Sequence, residues 1–336
     1  MSYSSLYANV PGCSDILNIT VSDSHINSSA TAVIQCINTT LIIGDPIDVD
    51  LGYTDNHETL FSGYVKNVEK KSPDGTYTIT CNDVMTRAMD FFIVSEDPES
   101  PFSRSNIAAE DLVEDVLALA SLTDYEYTPT MFTFGINSPI EANLVSAYDF
   151  CKFVADIISW HIYADRFGTV HFVNRKPYVM TGDSGQPGDE EDIPLKTITG
   201  KLTVTSTLSE KDLRNKIVVY GRNPISAHDE SSTSYNPLTD TYEQILPTGF
   251  YKTAVVATEW IDTEEIAQTA AEYNLELLNR LSVQGSASIV GDPDLSARVV
   301  VTFSDTVTGM SGDWYIFSCE HQWGPQGYTT NLGLKK

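Results

Sequence analysis

Ser62-Gly63-Tyr64-Val65-Lys66-Asn67-Val68-Glu69, a turn at Ser72-Pro73-Asp74-Gly75, then Tyr77-Thr78-Ile79-Thr80: this stretch reads as a β-hairpin. β-Branched and aromatic residues lie on both sides of a Pro/Gly turn, which is the composition a hairpin needs. A second stretch near the end reads the same way. Gly312-Asp313-Trp314-Tyr315-Ile316-Phe317-Ser318-Cys319-Glu320 leads through Pro325-Gln326-Gly327 into Tyr328-Thr329-Thr330-Asn331-Leu332. Tyr64 to Glu69 lies on Tyr315 to Glu320 without a gap, and each hairpin follows a strand, Ile47 to Leu51 in one case and Arg298 to Phe303 in the other. Two similar β units about two hundred residues apart point to an internal duplication.

The totals bound what surrounds these units. At 336 residues the chain has room for two or three cores. Hydrophobic residues at 41% and aromatics at 10% describe a folded protein rather than a disordered one. No apolar run reaches the roughly 20 residues a membrane span requires. Met1 to Leu6 has neither the basic start nor the apolar stretch of a signal peptide, so no glycan is expected at the sequons of Asn18, Asn27 and Asn38. Cys13, Cys36, Cys81, Cys151 and Cys319 are dispersed, with no C-x-x-C and no zinc-like spacing. They read as reduced thiols in a core, folded in a cytoplasm.

The net charge of −26 comes from 46 acids against 20 bases. Specific nucleic-acid binding rests on Lys and Arg displacing counterions, so that class is excluded. An acidic wall can still face a nucleic acid in order not to hold it. Plain solubility and a halophilic origin are the other readings of the charge.

Along the chain, residues 1 to 94 are mostly β, with strands at Ile16 to Val21 and Ala32 to Ile37 and a turn at Gly44-Asp45-Pro46. Asp45, Asp48, Asp50, Asp55 and Glu58 lack the pattern of a calcium loop and read as a solvated face. Ser95 to Pro101 is an acidic, proline-punctuated linker. A helix capped by Ser103 or Ser105 then buries Leu112, Val113, Val116, Leu117 and Ala120. A second starts on a capping box at Ser146-Ala147-Tyr148-Asp149 and buries Phe150, Phe153, Val154, Ile157 and Ile158. A hairpin follows, His161 to Ala164 and Thr169 to Val173, in which His161 and His171 are expected to face each other as amphipathic filler rather than as a metal pair. Residues 103–178 thus read as a small α+β insert. Thr181 to Asp192, within 179–196, is an acidic linker. Its Gly182-Asp183-Ser184-Gly185 copies a serine-protease tetrapeptide, but no upstream His segment accompanies it. Residues 197–336 return to β, with a strong strand at Asn215 to Gly221, a polar excursion over 223–250 and one helix over 262–281 capped at Asp262-Thr263-Glu264-Glu265. No metal, cofactor or catalytic residues are assigned. The carboxylate pairs Asp48/Asp50 and Glu264/Glu265, which a hydrolase would want in one cleft, read as outer-face residues.

The ordered set resembles the baseplate-hub (late control protein) family of tailed phages and contractile injection machines. It comprises Leu60 to Val65 with Asp74 to Ile79; Tyr148-Asp149-Phe150 through Gly168 to Phe172; Asn215 to Gly221; and Gly291-Asp292-Pro293-Asp294-Leu295 with Trp314-Tyr315-Ile316 and Gly327 to Leu332. The resemblance implies a mainly β, α+β fold in which two related β-barrel domains flank an α+β insert. It implies a homotrimer whose doubled barrels form a pseudo-sixfold ring, a symmetry adapter between the tail tube or distal tail protein and a central spike or tail fibre protein. The ring would enclose a channel for DNA or a tape-measure protein. DNA would touch it only in passage, and no membrane insertion is expected. The place is the virion, after assembly in a host cytoplasm, and the alternative is a tail-associated hydrolase. The 181–192 loop and the 223–250 excursion are not family features.

Overall fold

The computed structural model describes residues 5–95, 101–130, 132–158, 160–174, 195–199, 201–239 and 241–336. Six strands open the chain: β1 (Leu6–Asn9), β2 (Cys13–Ser24), β3 (Thr31–Thr39), β4 (Pro46–Tyr53), β5 (Asn56–Lys70) and β6 (Tyr77–Asp83). Alternation buries Val49 and Leu51 on β4, Ile34 and Cys36 on β3, and Ile79 and Cys81 on β6, so one face of these strands encloses a first core. Strands Lys201–Ser209, Ser282–Val290, Val300–Asp305, Met310–Gly324 and Gly327–Lys335 enclose another around Phe303, Trp314, Ile316 and Leu334.

The duplication extends well beyond the two hairpins. In the first repeat the order across the sheet is β4, β5, β6, β3, β2. In the second it is Val300–Asp305, Met310–Gly324, Gly327–Lys335, Ser282–Val290, Lys201–Ser209. Numbered along the sequence, both are third, fourth, fifth, second, first, and every pairing is antiparallel. Both long strands also carry a bulge at the same place. The register on β5 slips between Val65 and Asn67, and on Met310–Gly324 between Ile316 and Ser318. Just ahead of the third strand each repeat has one residue at positive φ, Gly44 at 93° and Arg298 at 71°. Its N–H donates to the carbonyl of Val65 or Ile316 at 2.8 and 2.7 Å. The second hairpin is offset by two residues, opposing Leu334 to Ile316 where Cys81 opposes Val65. An even offset keeps every side chain on its face.

The repeats do not form two separate closed barrels, as the resemblance implied. Among the described residues their strands belong to one 11-stranded sheet. The outer edge of β2 is taken by Met310–Gly324, from Ile19 opposite Trp323 to Ser24 opposite Ser318, and so does not return to its own repeat.

After the first repeat comes α1 (Met85–Asp90), and then the insert with α2 (Ala109–Leu119) and α3 (Ala147–Ile157), on whose core Met85 and Ala88 of α1 also pack. Leu112, Val113, Val116 and Leu117 are buried as their spacing requires, but α2 is capped by neither serine. Ser103 is held in the strand Phe102–Arg104, opposite Glu141, and the helix starts at Ala109 instead. On α3, Ser146 Oγ accepts from the Asp149 N–H at 3.0 Å and donates to its carboxylate at 2.7 Å. Phe150, Val154, Ile157 and Ile158 are buried, whereas Phe153 is 41% exposed and meets the edge of Trp260.

The same core takes in later residues. Ile217 and Val219 of the strand Lys216–Tyr220, and Ile266, Ala270 and Tyr273 of α4 (Glu264–Leu278), pack with Phe150 and Leu112. Thr263 caps α4 through its side chain, which accepts from the Ile266 N–H at 3.2 Å. The 223–250 excursion is structured. It supplies the strand Ser226–Glu230, antiparallel to Lys216–Tyr220, and the small hairpin Ser234–Asn236 with Thr241–Glu243. Buried Asn215 ties its middle to its far end, donating to the carbonyls of Ser231 and Phe250 and accepting from the Lys252 N–H at 2.8 Å. The acidic linker with Gly182 to Gly185, and residues 96–100 of the earlier one, lie outside the described residues.

Candidate functional site

The three units meet where β2 ends. Arg298 is the clamp there: its side chain is 8% exposed and pairs with Asp23 at 2.6 Å. It also donates to the Ser24 carbonyl at 2.9 Å and lies 4.2 Å over the ring of Tyr163 from the insert. A buried pair of this kind is worth little against an apolar substitute, but removing one partner strands the other. Beside it, the rings of His25 and His161 stack at 3.9 Å. His161 Nε2 binds the His25 carbonyl and therefore carries the proton, and His25 Nδ1 meets the Tyr315 hydroxyl at 2.9 Å. A cleft of about 660 Å³ opens at this junction, edged by Lys152, Arg280, Lys335 and Lys336.

A second contact lies under the Gly291-Asp292-Pro293-Asp294-Leu295 loop. His321, buried on the strand Met310–Gly324, accepts at Nδ1 from the Tyr328 hydroxyl at 2.7 Å, while Nε2 faces the Leu295 carbonyl at 3.0 Å. Burial, only partly offset by that carbonyl, pushes His321 down to about 4, so the ring is neutral. Thr330 receives the Asp292 N–H at 3.0 Å, and Lys196 holds both Asp292 and Asp294. Gly291 lies against the Tyr328 ring so closely that an added Cβ would sit 2.1 Å from it. The insert reaches this loop too, through Arg166 donating to the Pro293 carbonyl at 3.1 Å. In the first repeat the buried carboxylate is Asp83. Burial pushes it up to about 6, against donors from Ala30, Ser29 and Met85 that favour its charged form.

The residues with catalytic or metal-binding types are scattered. Asp48 accepts from Ser62 at 2.7 Å and Asp50 lies 3.0 Å from His57, both on the outer face of β4. Asp45 caps its own turn at Ile42. Glu264 and Glu265 sit in the first turn of α4, where negative charge suits the helix dipole. His161 and His171 are not opposite one another: His161 faces Val173, and His171 faces Tyr163 while bonding Asp165 at 3.2 Å. Among the described residues no three His, Cys, Asp or Glu side chains are grouped to hold a metal, and no helix is long and apolar enough to cross a membrane. All five cysteines are free thiols, four of them buried.

The most telling surface is a pair of unpaired sheet edges. Beyond β4, the edge of β5 from Asn67 onward has no strand partner among the described residues, and neither does the outer edge of Lys201–Ser209. Sequence reasoning missed Arg298, His321 and these edges. The hairpin register did hold one signal, since a turn at Pro325–Gly327 sets His321 opposite Thr330.

No protein-family model matches the chain, and no curated protein does. Solved structures do. The 43 kDa tail protein of prophage MuSo2 from Shewanella oneidensis is 13% identical, with a TM-score of 0.66 over 98% of each chain. A tail protein from Neisseria meningitidis is 10% identical, with a TM-score of 0.67 over 99% of this chain and 97% of that one. The Escherichia coli protein c3393, a component of the type VI secretion system, is 10% identical, with a TM-score of 0.58 over 98% of this chain and 76% of that one. At such identities the likeness is one of fold, and it extends over the whole length of the chain.

Proposed function

We propose that this chain, having the fold of phage and secretion-system tail proteins, is a structural tail hub. Three copies form a ring of pseudo-sixfold symmetry that joins a sixfold tail tube to a threefold central spike and surrounds a channel for DNA or a tape-measure protein. One observation carries the reading: the five-stranded unit is present twice with the same strand order, bulge and positive-φ residue. Two like units in each of three chains make six like positions, which is what an adapter between a six and a three needs. We divide the chain accordingly into an N-terminal unit (1–94), an insert (103–178) whose core is completed from the C-terminal part, and a C-terminal unit (197–336). The role is structural rather than enzymatic, and the place of action is the virion, after assembly in a host cytoplasm. The excess of 46 acids over 20 bases suits a wall past which DNA slides, since like charges repel.

Light scattering on the purified chain at low and high salt tests the ring, salt being needed to screen a charge of −26. A trimer mass is expected. Immunogold labelling of particles tests the place independently, and label at the junction of tube and spike is the expected outcome. Unlabelled, complete particles would overturn the tail reading.

A further inference from the structure

The contact that unites the two repeats inside one chain has a counterpart that is open at both ends. Following the pairings outward from the shared bulge fixes equivalent residues. Cys81 opposes Val65 as Leu334 opposes Ile316; Ala32 opposes Cys81 as Gly285 opposes Leu334; Val21 opposes Ala32 as Ser206 opposes Gly285. Val21 therefore corresponds to Ser206, and Glu320 to Glu69. Within the chain, β2 lies on the edge of Met310–Gly324 with Ser22 opposite Glu320. The equivalent edges, Asn67 to Lys71 and Lys201–Ser209, carry no strand among the described residues.

We infer that these two edges pair with each other between chains: Lys201–Ser209 of one chain adds antiparallel to the end of β5 of the next, with Thr207 opposite Glu69. This rests on the ring reading above and names the strands that close it. Three features of the sequence fit that register and not a neighbouring one. Ser22 donates its hydroxyl to Glu320 at 3.2 Å, and the equivalent pair, Thr207 and Glu69, is again a hydroxyl facing a glutamate. Leu208, 52% exposed in the single chain, falls opposite Val68, so an apolar pair is covered. Glu210 falls opposite Lys66, so the Lys252–Glu210 pair of one chain and the Lys66–Asp90 pair of the next would meet as a row of alternating charge. The strand itself is undefended. Leu202 to Ser209 contains no charge and no proline, the devices that normally blunt an exposed edge. The two edges are different surfaces, so the contact is head-to-tail and closes only as a ring.

Disulfide trapping tests the register in the full-length chain. Val68→Cys with Leu208→Cys, and separately Glu69→Cys with Thr207→Cys, are in register and sample both kinds of antiparallel site. Under oxidising conditions at least one pair is expected to give covalent oligomers that reduction dissolves. Val68→Cys with Thr207→Cys is one residue out, which turns a side chain to the opposite face, and is expected to trap about tenfold less. The single variants give the background from the native thiols. Equal trapping in and out of register overturns the ladder. So does an oligomer, seen by light scattering, that neither in-register pair traps, or a chain that stays monomeric at the highest attainable concentration. Particles that carry gold label while the chain fails to trap would overturn this ladder and leave the tail reading standing.

Discussion

Gly44 and Arg298 occupy the same place in the two repeats, at positive φ and bonded to the strand just before its bulge. Around Gly44 an added Cβ would meet nothing within 4 Å. Arg298 instead reaches out to Asp23 and Ser24 on the strand docked beside it. The backbone is the same, and the side chain decides whether the edge is permanently clamped or left to be joined. A left-handed residue is cheap as glycine and costs roughly 1 kcal/mol otherwise, so Arg298 bears strain that its partners must offset. The clamped joint belongs within one chain, where it forms once. In the proposed ring, the unclamped one is the joint between chains, which can form reversibly.

Arg298→Gly breaks this contrast most directly, by making the second repeat resemble the first. Stranding Asp23 should cost about 3–5 kcal/mol, less the relief of the positive φ, for a net loss of about 3 kcal/mol. Urea unfolding should show it, with the contact between β2 and Met310–Gly324 exchanging amide hydrogens faster than the rest of the sheet. Two of the buried titratable groups, His321 and Asp83, sharpen the contrast through pH. The unfolded chain takes up a proton on His321 near 6.5, which the folded chain refuses until about 4. That group's contribution to stability is therefore complete above pH 6.5 and falls by about 3 kcal/mol as pH drops to 4. Asp83 has the opposite sign. The folded chain protonates it at about 6, before the unfolded chain does at 3.8, so its contribution rises as pH falls through that window. These two contributions nearly cancel between pH 4 and 6, so each substitution is read against the wild type at the same pH. His321→Phe should gain stability on acidification, and Asp83→Asn should lose it, which denaturation at several pH values would read.

Smaller effects follow. Gly291→Ala forces a methyl into the Tyr328 ring and should cost about 2 kcal/mol, seen as a lower unfolding midpoint. Thr263→Ala removes the α4 cap for about 1 kcal/mol. That loss should appear in the insert, since α4 belongs to its core, and hydrogen exchange of the α2 and α3 amides would show it.

How much of this was legible in the sequence differs from feature to feature. The hairpins announced themselves because a strand's alternation and a Pro/Gly turn are local signals, and the ungapped match of Tyr64–Glu69 to Tyr315–Glu320 ends on the two glutamates that mark the joint. The rest of the repeat was not readable, because Thr203 to Ser209 and Asn18 to Ser24 share a position in the sheet but no residue pattern. Ser103 looked like a helix cap because serine caps helices, and only its pairing with the strand at Glu141 says otherwise. Phe153 fits the helical stripe of α3, yet it is exposed and only meets the edge of Trp260, a residue distant in sequence. Arg298 was invisible as a clamp, since nothing near it names Asp23 as its partner. The candidate catalytic types were correctly placed on outer faces by alternation alone for Asp48 and Asp50. His161 and His171 were misaligned by a register that only the turn geometry sets.

One feature of the insert bears on how the chain is made. Its core draws on Leu112 and Phe150 early, but also on Ile217, Ile261 and Tyr273. A ribosome adding roughly 5–20 residues per second leaves α2 and α3 without that cover for several seconds after they emerge. The five strands of the first repeat are all made by Asp83, although Tyr328 later completes their core and Met310–Gly324 the edge of β2. The second must hold Lys201–Ser209 apart until Ser282–Val290 arrives. Birth order thus runs from the contiguous repeat to the interrupted one, and between them comes an insert whose core waits on Ile217, Ile261 and Tyr273.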